Sequence, residues 1–121
     1  MRWKRRLASD RFGYPLTTVS EEAAEHYRRA VESMLSANYG AAEALDAALH
    51  ADPDFALSRI AKARLLQLYL RIPEAQAEAA AARALRDRLT PREARHVEVI
   101  ALAVNGAGPQ ALALLDEHLA E

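Results

Sequence analysis

Turn signals recur at nearly constant spacing, and that spacing constrains the fold more than any other feature. Gly40, Pro73 and Gly108 each open what reads as the second helix of a pair, 33 (73 − 40) and 35 (108 − 73) residues apart. A single helix–turn–helix unit of this size cannot bury its own apolar face, so a chain that repeats one must stack its units. Between the turns the apolar residues advance in steps of three and four, the period of a helix. Ala23, Tyr27, Ala30, Val31 and Met34 form one such stripe, and Ala41, Leu45 and Ala48 form the next.

Cap and break signals fix the expected bounds. Ser20 caps a first helix over about 21–37, with Glu21 and Glu22 well placed in its first turn. Asn38-Tyr39-Gly40 turns the chain into a second helix over about 41–51. Asp52-Pro53 closes that helix and opens a third, about 54–71, with Pro53 suited to an entry position. Leu57, Ile60, Ala61, Leu65, Leu68 and Tyr69 make this third helix apolar over most of its circumference, so it should be the most buried. Pro73 begins an alanine-dense fourth helix reaching about Leu89. Thr90-Pro91-Arg92-Glu93 has the pattern of a capping box and starts a fifth helix to about Val104. After Asn105-Gly106-Ala107-Gly108, Pro109 starts a sixth, carrying Leu112, Leu115 and Leu119 on one stripe. These signals divide the chain into an irregular leader, 1–19, and a helical repeat domain, 20–121. No capping segment closes the sixth helix. It reads as the truncated edge of a longer array, a surface through which the chain could self-associate.

A period near 34 is that of the tetratricopeptide repeat. The expected fold is therefore all-α, a right-handed solenoid of about three antiparallel helix hairpins. Ala41, Leu45, Ala48 and Pro53 follow that repeat's small–large–small–proline order, while the other units follow it less closely. Two longer segments resemble the N-terminal region of the tetratricopeptide repeat protein 38 family. One is Asp10-Arg-Phe-Gly-Tyr-Pro-Leu-Thr-Thr-Val-Ser-Glu-Glu-Ala23; the other is Leu89-Thr-Pro-Arg-Glu-Ala-Arg-His-Val97 followed by Asn105-Gly106. Ala51-Asp-Pro-Asp-Phe-Ala-Leu57 is similar to the link between repeats in the same family. The resemblance implies fold, repeat architecture and an interaction role, in a protein of several hundred residues. It implies no active-site residues.

Composition narrows the function. Of 121 residues, 51% are apolar and 6% aromatic, and the formal net charge is −1, so no overall field draws in nucleic acid. With no cysteine, disulfides, thiolate metal sites and cysteine nucleophiles are excluded. No apolar run reaches a membrane-spanning length, and the basic start lacks a signal-peptide core, so a cytoplasmic protein is expected. Arg2, Lys4 and Arg5 around Trp3 could contact RNA or membrane, but Trp3 is better read as packing back on the first hairpin. No glycine-rich phosphate loop is present. His26, His50, His96 and His118 are never spaced as a helical metal pair, and Glu22–His26 is a surface i,i+4 pair.

The sequence thus favours a non-catalytic scaffold for a protein or peptide partner, with no cofactor, metal or nucleic acid. The concave face of such a solenoid is lined by the first helix of each hairpin. Its candidate contact residues are Arg59, Lys62, Arg92, Arg95 and His96. The alternative is the helical-repeat part of a longer enzyme whose catalytic residues lie beyond Glu121.

Overall fold

The structure, a computed structural model, describes residues 9, 10, 14–18, 20–35 and 40–120. Six α-helices form: α1 (Glu21–Leu35), α2 (Ala41–Ala51), α3 (Ala56–Leu68), α4 (Ile72–Arg83), α5 (Pro91–Val104) and α6 (Gly108–Ala120). Among the described residues there is no strand, only an isolated bridge between Ser9 and Pro15. The protein is all-helical. The first helix of each hairpin starts at Glu21, Ala56 and Pro91, two equal steps of 35 residues. The chain forms two compact units, residues 1–55 and 56–121.

In the first unit α1 lies against α2. Ser20 caps α1 through its hydroxyl, which accepts from the Ala23 N–H at 3.1 Å, as its sequence context predicts. Ala23, Ala24, Tyr27 and Ala30 are buried on α1, and Ala41, Leu45 and Ala48 on α2. The small residues allow close approach while Leu45 fills the gap between the helices, a burial contributing about 2–3 kcal/mol. Tyr27 and Phe55 stack with ring centroids 5.1 Å apart.

The described part of the leader belongs to this unit. Leu16 is buried, and the Thr18 hydroxyl donates to the Asp52 carboxylate at 2.5 Å. The Arg28 guanidinium donates to the Ser9 carbonyl at 2.6 Å and pairs with Glu21 and Glu25. Glu21, then Glu25, hold that guanidinium above its ordinary pKa. Trp3, the basic residues near it and the Asn38-Tyr39 turn lie outside the described residues.

In the second unit α3 and α4 form one hairpin and α5 and α6 another, and α5 packs on both α3 and α4. As expected, α3 is the most deeply set helix, with Ala56, Leu57, Ser58, Ile60, Ala61, Ala63, Leu65 and Leu66 all buried. The alanine face of α4, Ala75, Ala79 and Ala82, is buried at spacings of four and three. Thr90 forms both bonds of its capping box with Glu93 and so fixes the start of α5.

Four expectations are corrected. Asp52 closes α2 as its C-cap, as expected, but does not open α3. Its side chain and carbonyl accept from the Asp54 and Phe55 N–H groups, which holds 52–55 as a turn and delays α3 to Ala56. At its other end α3 stops at Leu68, so Leu68 and Tyr69 are exposed rather than core. The cause is Leu70, which takes a left-handed φ of 61°. Third, α4 ends at Arg83 rather than near Leu89. The backbone tightens to i→i−3 bonding through Leu85, Arg88 and Leu89, including a short 3₁₀ turn at Arg86–Arg88, before Thr90 turns extended. Finally, α4 and α6 each begin one residue early, at Ile72 and Gly108.

Candidate functional site

The candidate contact residues all fall in the second unit, on two neighbouring first helices. Arg59 and Lys62 project from α3, and Arg92, Arg95 and His96 from α5. Gln67 Nε2 donates to the Ala103 carbonyl at 3.3 Å, so the last turn of α3 lies beside the last turn of α5. Buried Val97, Ala101 and Val104 set the inward face of α5 and turn Arg92 and Arg95 outward. Arg92 is exposed; Arg59, Lys62, Arg95 and His96 are half-buried.

Charge on these helices is unevenly spread. Between Ala56 and Leu68 there are three basic residues, Arg59, Lys62 and Arg64, and no acid. Both acids of α5 are hydrogen-bonded within this unit. Glu93 is buried and accepts from the Thr90 N–H at 2.9 Å. Glu98 takes a two-pronged bond from Arg83 of α4, with Nε–Oε1 at 2.7 Å and Nη2–Oε2 at 3.1 Å. Arg59 reaches across to α4, its Nη1 3.4 Å from both Glu78 oxygens. Together α3 and α5 therefore carry five basic side chains, Arg59, Lys62, Arg64, Arg92 and Arg95, against two acids, with His96 beside them, a set of donors suited to anionic groups.

Among the described residues no group of three or more metal-capable side chains comes together. His26 lies 3.9 Å from Glu22, as the i,i+4 spacing anticipates, and its Nδ1 is 2.9 Å from Arg29. No helix among the described residues is long and apolar enough to cross a membrane. On α6, Leu112 is exposed and Leu115 half-buried, while the Leu119 side chain lies outside the described residues.

Three features escape a reading of the sequence. The Arg83–Glu98 clamp joins residues 15 apart on different helices, a spacing with no local rule behind it. The Thr18–Asp52 bond spans 34 residues. Ser58 is fully buried, and its hydroxyl has no hydrogen-bond partner among the described residues. Comparison with protein-family models, with curated proteins and with solved structures found no match.

Proposed function

We propose that the chain is a non-catalytic, cytoplasmic interaction scaffold of the tetratricopeptide type, akin to the N-terminal part of the tetratricopeptide repeat protein 38 family, with its three hairpins wound as a right-handed solenoid. The observation that carries this reading is the pairing of α3 with α5. Two first helices one 35-residue step apart lie side by side and carry Arg59, Lys62, Arg92, Arg95 and His96. Adjacent first helices are the wall on which such arrays seat an extended peptide. The cationic excess on that wall favours peptides with acidic side chains, because charge complementarity sets both encounter rate and register.

The test is selection from a random peptide display library against the purified chain. Enrichment of peptides whose affinity falls at least tenfold in Lys62→Glu and Arg95→Glu, with helicity intact, is the expected result. Absence of enrichment, or enriched peptides indifferent to both substitutions, removes the proposal.

A further inference from the structure

The exit of α5 reads Asn105-Gly106, and asparagine followed by glycine is the pair most open to spontaneous loss of the side-chain amide. The reaction is an intramolecular acyl transfer. Base removes the Gly106 N–H proton, and the nitrogen attacks Cγ of Asn105. A C–N bond forms, the Cγ–Nδ2 bond breaks and ammonia leaves, closing a five-membered succinimide. Water then opens the ring at either carbonyl. One opening gives aspartate; the other gives isoaspartate, whose backbone runs through Cβ and Cγ. One water is consumed and one ammonia released. Glycine speeds the attack because it has no side chain to shield its nitrogen. The chain's other asparagine, Asn38, precedes Tyr39, whose bulk hinders the same step.

Water and base can reach this pair. Asn105 and Gly106 are both exposed, and a Cβ added at Gly106 would meet no atom within 4 Å. The fold nevertheless holds the reacting atoms apart. Nδ2 of Asn105 donates to the Ala101 carbonyl at 2.9 Å, which draws Cγ back along α5 and away from the Gly106 nitrogen. Asn105 sits at φ −87° and ψ 8°. The Gly106 N–H donates to the Ala103 carbonyl at 3.1 Å and the Ala107 N–H to the Leu102 carbonyl at 2.8 Å. These are the two bonds of a Schellman closure, with Gly106 left-handed at φ 81°. Ring closure requires rotation about the Asn105 Cα–C bond, and that rotation carries the Gly106 and Ala107 N–H groups off their acceptors. The reaction therefore waits on local opening of the turn, the kind of event that also precedes amide exchange.

We propose that Asn105 is a site of spontaneous deamidation gated by the α5–α6 turn, and that its conversion loosens that turn. Asn105 is the C-cap of α5. The product carboxylate puts a negative charge at the helix end where the unpaired carbonyls already gather negative charge. It has no proton to give the Ala101 carbonyl, so an acceptor faces an acceptor where a donor stood. In isoaspartate the extra backbone carbon also shifts Gly106 and Ala107 out of register with Ala103 and Leu102. Each change acts on the turn that joins α6 to α5. Opening admits the reaction and its products favour further opening, so conversion runs one way, toward a looser last hairpin.

The test follows the whole chain at mildly alkaline pH, folded and in guanidinium chloride, by peptide mapping that separates aspartate from isoaspartate. In the unfolded chain Asn105 should convert roughly tenfold or more faster than Asn38 and give both products. In the folded chain its conversion should slow by the factor by which amide exchange at Gly106 is protected in the same buffer, to within about threefold. Asn105→Asp, which is itself one product, should exchange the Gly106 and Ala107 amides roughly threefold to tenfold faster than the parent, with exchange at Glu93, at the other end of α5, unchanged. A folded chain that converts as fast as the unfolded one, or far more slowly than amide protection allows, overturns the gate. Aspartate without isoaspartate in the unfolded chain overturns the ring-forming route. Unaltered exchange at Gly106 and Ala107 in Asn105→Asp overturns the loosening.

Discussion

Replacing Leu70 by glycine should stabilise the protein, although it deletes a large apolar side chain. An L-residue held left-handed costs about 1–2 kcal/mol relative to glycine. Leu70 sits at φ 61° and is mostly exposed, so little buried area is lost with the side chain. Against the relief stands the greater freedom of glycine in the unfolded chain, roughly 0.5–1 kcal/mol. The net gain is about 0.5–1 kcal/mol, a rise in Tm of roughly 3–5 °C for a chain of this size. Leu70→Ala separates the causes: it removes the same exposed surface but keeps the left-handed strain, so it should gain nothing. The counterpart is Gly106→Ala at φ 81°, where an added Cβ meets no atom within 4 Å. Its cost is therefore one of backbone alone, and a loss of about 0.5–1 kcal/mol is expected. Circular-dichroism melts and urea titrations of the three variants decide the matter. A Leu70→Gly protein no more stable than the parent, or a Leu70→Ala protein equally stabilised, refutes the reasoning.

Three further substitutions probe other parts of the fold. Ser58→Ala removes a buried hydroxyl with no hydrogen-bond partner among the described residues, and should raise stability by about 1 kcal/mol in urea titration. Thr90→Ala breaks the capping box that starts α5 and should cost about 1 kcal/mol, with faster amide exchange at Glu93 as the local readout. Leu16→Ala empties a buried site where the leader meets the first hairpin. A loss of about 2–4 kcal/mol is expected, whereas a loss near zero would show that the leader does not contribute to this unit.

Helix content and order were legible because each element carries its own local signals. Ser20 and the Thr90–Glu93 box mark helix starts by chemistry that depends on neighbours three residues away, and both form as expected. The period shows in the first helices, α1, α3 and α5, which begin at Glu21, Ala56 and Pro91. The misread ends lie where a local preference yields. Leu65, Leu68 and Tyr69 continue an apolar pattern that a one-dimensional reading extends through the turn. Nothing in residue type announces that Leu70 will occupy a position commonly given to glycine. Likewise the Asp52 side chain is drawn to Thr18 and the Asp54 N–H, so it serves a turn and leaves α3 uncapped by it. Of the candidate site, the residue types and their helices were readable from the sequence. The pairing of Glu98 with Arg83 depends on a tertiary partner that spacing does not reveal.

The neighbouring, parallel arrangement of α3 and α5 underlies the proposed peptide wall. It can be measured directly by pulsed electron spin resonance, since the chain has no cysteine and introduced labels stand alone. One pair, Leu68→Cys with Asn105→Cys, labels the last turn of α3 and the exit of α5. A second, Leu68→Cys with Arg92→Cys, labels the same turn of α3 and the first turn of α5. With the two helices side by side, the first distance should be shorter than the second by on the order of 15 Å, most of the length of a 14-residue helix. Equal distances, or the reverse order, would contradict it.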